Sequence, residues 1–369
     1  MKYFITLLFI ALFTIHCSIE TLDTYTVEEI DGVKHIHNSA PVTNEGSRPS
    51  LEFVRQWGNP ENDDENYLLF KPYGVHIEND ITYIFDVGNY CLKLYDADGK
   101  FIKSLGQKGE GPEDILTSSM YFKGRNGLLY LAGIFTRKIK IWDVEGNYLR
   151  SMDITVYDYG FEVLQSGSII STYTEKGSNG LLSIYDPSGK AVLDIGQRED
   201  FGDPLSNKRG NNVNLTLDNE ENIIISYVMF NRIEKYDTEG NLLWRTDRPI
   251  SFDTESLPET AVGTRYNFDG SSQTIQSRNL PYLAAGIASD SKNRLWVMSM
   301  RREYNREVMN LEGPEFDVIE FDVFDENGIL LAKIPATSYI GRLDIFGDRL
   351  FISDYHKTHT VYEYRIVDK

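Results

Sequence analysis

Cysteine is scarce in this sequence: only Cys17 and Cys91 occur among 369 residues. Two thiols cannot build a disulfide scaffold or a cysteine-rich zinc site. Basic residues are also in deficit, because 37 Lys and Arg stand against 56 Asp and Glu, giving a net charge of −19. This charge excludes a nucleic-acid binder, which needs a basic face to displace counterions from phosphate. It also argues against docking of the protein surface on an anionic membrane.

Long apolar runs are missing after the first residues, since no later segment approaches the ~20 apolar residues of a transmembrane helix. Residues 1–16 carry one charge, Lys2, followed by an apolar run from Phe4 to Phe13, and these features predict a secretory signal. Cys17 follows directly, which resembles the bacterial lipoprotein signal, although His16 stands where that signal normally has a small residue. The resemblance implies an outer-membrane lipoprotein acylated at Cys17 and facing the periplasm or the cell surface. An ordinary signal peptide with an incidental cysteine is the alternative.

Residues 17–50 are predicted to form a short segment ahead of the main domain. Two alternating stretches within 24–38 flank Asp31-Gly32, which is a hairpin signal. His35 and His37 would share one face of a strand, where they could bind a metal or simply face solvent. No third ligand lies nearby in the sequence, which favours the plain strand face. Residues 39–50 read as a polar linker.

One turn motif recurs along the rest of the chain: an aromatic residue, Asp, two further residues and Gly, placed between alternating apolar runs. Its glycines are Gly99, Gly146, Gly189, Gly240 and Gly328, at spacings of 47, 43, 51 and 88 residues. Asp accepts hydrogen bonds from backbone amides two residues on, and Gly takes the positive-φ position, so each copy predicts a tight antiparallel turn. Periods near 45 residues with several short strands indicate propeller blades.

Each copy is preceded by two further strands, so every repeat contains four strands and five blades are directly visible. Residues 349–354 and 364–368 match the second and third strands of a sixth blade, and the sequence ends before its fourth strand. Residues 52–58 match that missing strand. We therefore predict an all-β, six-bladed β-propeller of four-stranded antiparallel blades over residues 51–369. Strand 52–58 would complete the C-terminal blade and close the ring, hiding sheet edges.

The first blade carries a resemblance to a known repeat. Pro72-Tyr73-Gly74-Val75, then Tyr83-Ile84-Phe85-Asp86, and the link Gly106–Glu113 resemble the NHL-type repeat and related TolB-like propellers. Together with the signal, the whole chain resembles the six-bladed β-propeller lipoproteins of Gram-negative bacteria. The resemblance implies the fold but no activity, because propellers include binding modules, lyases and lactonases.

The long inter-strand segments predict which face binds. Four of them lie on the face opposite the Asp-x-x-Gly turns: 106–116, 197–212, 247–282 and 301–316. Loops on a rigid scaffold commonly carry function. We therefore predict that the loop-rich face is the binding face.

Two of these segments supply the candidate binding residues, namely Arg265, Tyr266, Arg278, Arg301, Arg302 and Tyr304. Arginine and tyrosine together suit recognition of carboxylates, sugars or peptide backbone. The competing interpretation is that the arginines pair with nearby acids such as Glu303, Glu307 and Glu312. On the first interpretation the protein is a monomeric, non-catalytic binding or scaffold module without a cofactor. Its ligand would be a glycan, a peptide or a neighbouring envelope protein.

An enzymatic alternative remains open at this point. His76, His356 and His359 could converge at the channel mouth and bind Zn²⁺ or Ca²⁺, as in a lactonase-like, metal-dependent hydrolase or lyase. Four aspartates near the inner strands could bind calcium or cap backbone amides, namely Asp86, Asp218, Asp290 and Asp344. No Gly-x-Ser-x-Gly, His-Glu-x-x-His or phosphate-loop motif occurs. Cys91 reads as a small buried apolar residue.

Overall fold

The computed structural model describes residues 20–22, 24–42, 48–58, 61–115, 119–133, 137–156, 160–172, 179–254, 259–266, 271–304, 317–336 and 341–369. The predicted signal, Cys17, Glu307 and Glu312 lie outside these residues. The N-terminal part contains β1 (Glu20–Leu22), β2 (Tyr25–Ile30), β3 (Val33–Asn38) and β4 (Pro49–Trp57), followed by a 3₁₀-helix (Glu65–Tyr67). Among the described residues, no helix has the length and apolar character needed to cross a membrane.

Six four-stranded antiparallel blades follow, which confirms the predicted β-propeller. Blade 1 contains β5 (Pro72–Glu78), β6 (Ile81–Asp86), β7 (Cys91–Tyr95) and β8 (Phe101–Leu105). Blade 2 contains β9 (Ser119–Arg125), β10 (Leu128–Gly133), β11 (Ile139–Asp143) and β12 (Tyr148–Met152). Blade 3 contains β13 (Phe161–Val163), β14 (Ile169–Ser171), β15 (Leu182–Tyr185) and β16 (Ala191–Ile195).

The remaining blades carry two insertions. A short helix, α1 (Pro204–Gly210), precedes blade 4, which contains β17 (Val213–Leu217), β18 (Ile223–Tyr227), β19 (Ile233–Tyr236) and β20 (Leu242–Asp247). A hairpin of β21 (Thr260–Tyr266) and β22 (Ser272–Arg278) comes next. Blade 5 contains β23 (Ala284–Ser289), β24 (Leu295–Met300), β25 (Ile319–Phe324) and β26 (Leu330–Pro335). Blade 6 contains β27 (Arg342–Phe346), β28 (Arg349–Asp354), β29 (Thr360–Asp368) and the N-terminal β4.

The ring closes between the two ends of the chain, as the sequence predicts. Strand β4 pairs antiparallel with β29 from Trp57 opposite Val361 to Pro49 opposite Asp368. Beyond the strands, the backbone N–H groups of Arg48 and Lys369 each donate to the other residue's carbonyl at 3.1 Å. The outer strand of blade 6 therefore comes from the start of the chain.

The Asp-x-x-Gly turns connect the third and fourth strands of a blade and pack against the outer strand of the blade before it. In blade 3, the Asp186 carboxylate accepts from the backbone N–H of Ser188 at 2.8 Å and of Lys190 at 3.1 Å. In blade 2, Gly146 has φ +98° and packs against Leu105 at the end of the preceding outer strand. A Cβ at Gly146 would lie 2.5 Å from Leu105 Cδ2, so glycine is required for both the backbone conformation and the close approach.

The hydrophobic core lies between adjacent blades. Middle strands are buried along their whole length, as in β24 and β25, because both sheet faces pack against neighbours. Trp296 and Phe321, at the centre of one cluster, pack edge to face at 5.9 Å. Each such side chain contributes about 1.5–3 kcal/mol to stability through burial. Cys91 is buried in β7, and burial raises its pKa to about 11, so it is an inert thiol.

Two local features differ from a plain reading of the sequence. The predicted N-terminal hairpin, β2 and β3, does not stand alone: β3 pairs in parallel with β20 and extends blade 4. Its Ile36 is buried against Trp244, and His37 Nδ1 lies 2.6 Å from Asp247 Oδ2. The long inter-strand segment 247–282 contains strands of its own, the β21–β22 hairpin.

Candidate functional site

The first strand of each blade lines a central channel, whose two ends differ. The carboxyl ends of these six inner strands enclose a cavity of about 370 Å³. We call this the carboxyl end of the channel. The amino end, where the inner strands begin, lies on the loop-rich side, because the links between blades and the loops between second and third strands meet there.

A charged layer lines the cavity. His76, Lys123 and Asp344 occupy equivalent positions in three inner strands, each opposite the third residue of its second strand. Lys123 Nζ lies 2.6 Å from Glu162 Oε1 and 3.8 Å from Asp344 Oδ1. Asp344 Oδ2 also accepts a hydrogen bond from the Val75 N–H at 3.1 Å. The charges at this end are therefore paired with one another.

His76 is a packed member of this layer. Its ring lies edge-on to Phe346 at 5.4 Å and covers Gly124, where a Cβ would come within 2.0 Å of the ring. Its Nε2 lies 3.3 Å from Glu78 Oε2. Burial lowers the pKa of His76, and Glu78 opposes that effect only in part. The imidazole is therefore neutral near pH 7 and is held by packing against Phe346 and Gly124.

Five tyrosines gather at the amino end and form what we call the tyrosine collar: Tyr73, Tyr121, Tyr282, Tyr304 and Tyr355. The rings of Tyr73 and Tyr355 are 4.6 Å apart, and Tyr73 meets Tyr121 edge to face at 6.0 Å. The ring centres of Tyr282 and Tyr304 are 5.3 Å apart. Burial raises the pKa of Tyr355, and the neighbouring Tyr73 hydroxyl raises it further, so the phenol of Tyr355 stays protonated.

Two cations flank the Tyr73–Tyr355 pair. The Arg342 guanidinium carbon lies 5.9 Å from the Tyr73 ring centre and 5.8 Å from that of Tyr121. On the other side, Lys71 Nζ lies 5.9 Å from the centre of Tyr355. Burial disfavours the charge on Arg342, but Asp344, whose Oδ1 is 3.5 Å from Nε, raises the pKa and keeps the group charged.

Strand periodicity explains why Arg342 and Asp344 meet. They lie two residues apart on one face of β27, while Leu343 between them turns to the hydrophobic core. Tyr121 and Lys123 repeat this arrangement on β9, where Phe122 is the core residue. These two inner strands thus each contribute one residue to the collar region and one to the charged layer.

The structure separates the predicted binding residues. Tyr304 belongs to the tyrosine collar, whereas Arg302 pairs with Asp317 at 2.5 Å and Arg301 with Asp317 and Glu320 at 3.7 and 3.6 Å. Arg301 and Arg302 thus pair with acids, though with different acids from those named from the sequence.

The remaining predicted binding residues lie in the β21–β22 hairpin. The backbone N–H of Arg278 donates to Ser206 Oγ at 2.9 Å, and its side chain is exposed. Arg265 and Tyr266 belong to β21, and their side chains fall outside the described part of the structure.

The three histidines of the metal alternative have different surroundings. His356 stacks on Tyr355 with ring centres 4.1 Å apart, in the loop after β28 that also holds His359, whereas His76 lies in the charged layer. Within the described ranges, no group of three or more His, Cys, Asp or Glu is arranged to hold a metal ion.

The four inner aspartates all accept hydrogen bonds from backbone amides. Asp218 and Asp290 close the turns after β17 and β23, accepting from the N–H of Asn222 at 2.8 Å and of Arg294 at 3.0 Å. Asp86 accepts from the N–H of Lys71 at 2.8 Å, and Asp344 from Val75, as described above. Amide capping therefore accounts for these positions.

Sequence reasoning missed Tyr73, Tyr121, Arg342 and Tyr355. Aligning the inner strands by register would have pointed to two of them, since Tyr121 and Arg342 each lie opposite the fifth residue of the second strand, Ala132 and Ser353. Gly74 holds the same position in blade 1 and adds no side chain between them.

Comparison with solved structures gives the fold. A member of the DUF4221 family from Bacteroides vulgatus aligns with a TM-score of 0.53 at 11% identity, covering 88% of this chain and 99% of the other. A predicted exported protein, BF0058 from Bacteroides fragilis, aligns with a TM-score of 0.53 at 14% identity, covering 89% and 97%. The gluconolactonase XC5397 from Xanthomonas campestris aligns at 0.48 with 14% identity, covering 88% and 97%. No protein-family model and no curated protein matches the chain. At these identities the likeness is one of fold: this chain is a six-bladed β-propeller with structural neighbours among the DUF4221 and exported Bacteroides proteins.

Proposed function

We propose that this protein is an exported, non-catalytic binding module of the cell envelope that holds its ligand at the amino end of the channel. The observation that carries the proposal is the tyrosine collar, with Arg342 over the rings of Tyr73 and Tyr121. Tyrosines supply rigid, amphipathic contact area at low entropic cost, and arginine adds a directional charge. Of the five collar tyrosines, only Tyr121 is fully buried. The other four are partly exposed and lie outside the charged layer.

The position of the collar supports a binding role. Binding sites on rigid folds commonly lie where loops from several elements meet. Blades 1 and 2 contribute Tyr73 and Tyr121, blade 5 contributes Tyr282 and Tyr304, and blade 6 contributes Tyr355. A ligand touching all five would contact four blades at once. A glycan, a peptide or a segment of another envelope protein has the size to do so.

Export is supported by the signal-like residues 1–16, and the exported B. fragilis protein shares the fold. Acylation of Cys17 would hold the propeller at the outer membrane, facing the periplasm or the cell surface. We propose no cofactor, no nucleic-acid partner and a monomeric state. The net charge of −19 leaves the lipid as the means of membrane attachment.

The test is an array of oligosaccharides and peptides probed with the chain lacking residues 1–17, which removes no described residue. Tyr355→Ala should weaken binding about tenfold, corresponding to about 1.4 kcal/mol. Leu149→Ala, at an exposed position on an outer strand, is the matched control and should bind as the native chain does. Absence of any ligand whose binding depends on Tyr355 would refute the proposal.

The enzymatic alternative predicts a different observable. A metal-dependent hydrolase or lyase using His76, His356 or His359 would purify with stoichiometric Zn²⁺ or Ca²⁺, and a chelator would lower its melting temperature. Elemental analysis with paired melting curves therefore distinguishes the two functions. A bound metal lost together with one of these histidines would favour the enzyme.

A further inference from the structure

We infer that the collar selects an acidic saccharide, with Arg342 and Lys71 each receiving one carboxylate and the tyrosines holding the sugar rings. This inference rests on the proposed function and narrows its ligand. It is carried by three observations: the two cations that flank Tyr73 and Tyr355, the incomplete pairing of Arg342, and the hydroxyl-rich lining of the collar.

Arg342 has bonding capacity left over. Its side chain is only 16% exposed, and in the described part of the molecule its buried Nε makes no hydrogen bond. Its one ion pair there joins Nε to Asp344 at 3.5 Å, and Asp344 is also held by Lys123 and the Val75 N–H. A guanidinium binds a carboxylate best through two parallel N–H donors. No carboxylate of the described residues engages Arg342 in that way.

Lys71 is held beside the collar by its own backbone. The Lys71 N–H donates to Asp86 Oδ1 at 2.8 Å, which fixes the start of β5 and places the ammonium group over Tyr355. The neighbouring His356 adds no charge at neutral pH, because burial lowers its pKa. The collar thus presents two cations, Arg342 and Lys71, in a chain of net charge −19, and these favour an acidic ligand.

The lining favours a saccharide over a peptide. Peptide recognition generally needs a sheet edge or apolar pockets for alternate side chains, whereas the collar offers aromatic faces and phenol groups. A phenol group both donates and accepts hydrogen bonds, as sugar hydroxyls require.

The test uses acidic oligosaccharides beside uncharged forms of the same rings: trigalacturonate, trimannuronate and a hyaluronan tetrasaccharide, each with its methyl ester. Calorimetric titration should show at least one acid binding about tenfold tighter than its ester, with a preference that shrinks as salt rises. Lys71→Gln should reduce the affinity for the acid several-fold and leave the affinity for the ester unchanged. Lys100→Gln, at an exposed turn position, is the matched control and should change neither.

Arg342→Lys adds a second variant, because it keeps the charge but removes the two-donor fork. The substitution should lower the affinity for the acidic oligosaccharide about tenfold. The melting temperature of the variant reports whether the channel remains folded. Equal binding of acid and ester would overturn the inference, as would a preference that ignores both substitutions. Binding of an acidic peptide alone would do the same.

The outcome also separates this inference from the proposed function. If ligands on the array bind through Tyr355 but none is an acidic saccharide, the ligand class is wrong and the binding role stands. If nothing binds through Tyr355, both fail.

Discussion

The two ends of the channel are built from the same six inner strands but differ in how their charges are used. At the carboxyl end, Lys123 pairs with Glu162, and Arg125 pairs with Glu221, both at 2.6 Å. At the amino end, Arg342 and Lys71 lie over tyrosine rings, and Arg342 has a single, longer ion pair among the described residues, to Asp344 at 3.5 Å. The charges of the carboxyl end pair with one another, whereas we propose that the amino end offers Arg342 and Lys71 to a ligand.

The proposed function therefore places the binding site at the collar and not in the cavity. A buried ion pair adds little net stability, but removing one partner leaves an uncompensated charge. The charged layer therefore fixes how inner strands of neighbouring blades pack, and substitutions there should affect folding first. Substitutions in the collar should affect binding first. The following predictions test that division in order of expected size.

The largest effect is expected at Gly341, just before β27 at the amino end. A Cβ there would lie 1.7 Å from the carbonyl oxygen of Ser353, and neither backbone segment can move without breaking the β27–β28 pairing. Gly341→Ala should destabilise the protein by about 4 kcal/mol or more. Gly286→Ala is the matched control, because its Cβ would meet Met298 and Leu343 only at 3.5 and 3.6 Å. Urea unfolding measures both, and near-equal stabilities would show that the register near Gly341 is wrong.

Breaking the charged layer should come next. Lys123→Met leaves Glu162 and Asp344 without their ammonium partner in a mostly buried site. We expect a loss of about 3 kcal/mol, at the low end for a broken buried pair because Lys123 is partly exposed. The affinity for a ligand at the collar, measured on the folded protein at low temperature, should stay within about twofold of the native value. A selective loss of binding would place the functional site in the cavity.

The sequence predicts the blades well because the Asp-x-x-Gly turn is local chemistry. Asp186, Ser188 and Gly189 make their bonds within five residues, so the motif specifies its own conformation. Ring closure was also predictable, because residues 52–58 carry the pattern that the last blade lacks. Both predictions depend on short-range patterns that survive in a single sequence.

The collar could not be predicted in the same way. Tyr73, Tyr121 and Arg342 lie in three blades, and their meeting depends on the closed ring. Loop composition pointed instead to Arg301 and Arg302, whose charges are taken up by Asp317 and Glu320. Counting residue types in a loop cannot show which charges the fold neutralises.

A smaller effect is expected where His76 covers Gly124. Gly124→Ala would drive a Cβ into the imidazole ring, but a side chain can shift where a backbone cannot. We expect a loss of about 1–3 kcal/mol, as for overpacked cores. Gly74→Ala, whose Cβ would meet Arg342 and Phe122 at 3.8 Å, is the control on the neighbouring strand. Thermal melting should rank Gly341→Ala, Gly124→Ala and Gly74→Ala in that order of damage.

The smallest effect is a pH dependence carried by His76. Its pKa in the folded protein is below the ordinary 6.5, because burial outweighs the favourable charges of Glu78 and Asp344. Below pH 6.5 the unfolded chain therefore binds more protons at His76 than the folded chain does. The contribution of neutral His76 to the free energy of unfolding is thus complete above pH 6.5 and is lost as the pH falls. Unfolding free energies measured from about pH 7.5 to about pH 5.5 should decrease, and His76→Gln should flatten that slope in part. Part of the slope should persist, because burial also lowers the pKa of His35 and His356. An unchanged slope would mean that the pKa of His76 is the same in the folded and the unfolded chain, and burial would then not disfavour the charged imidazole.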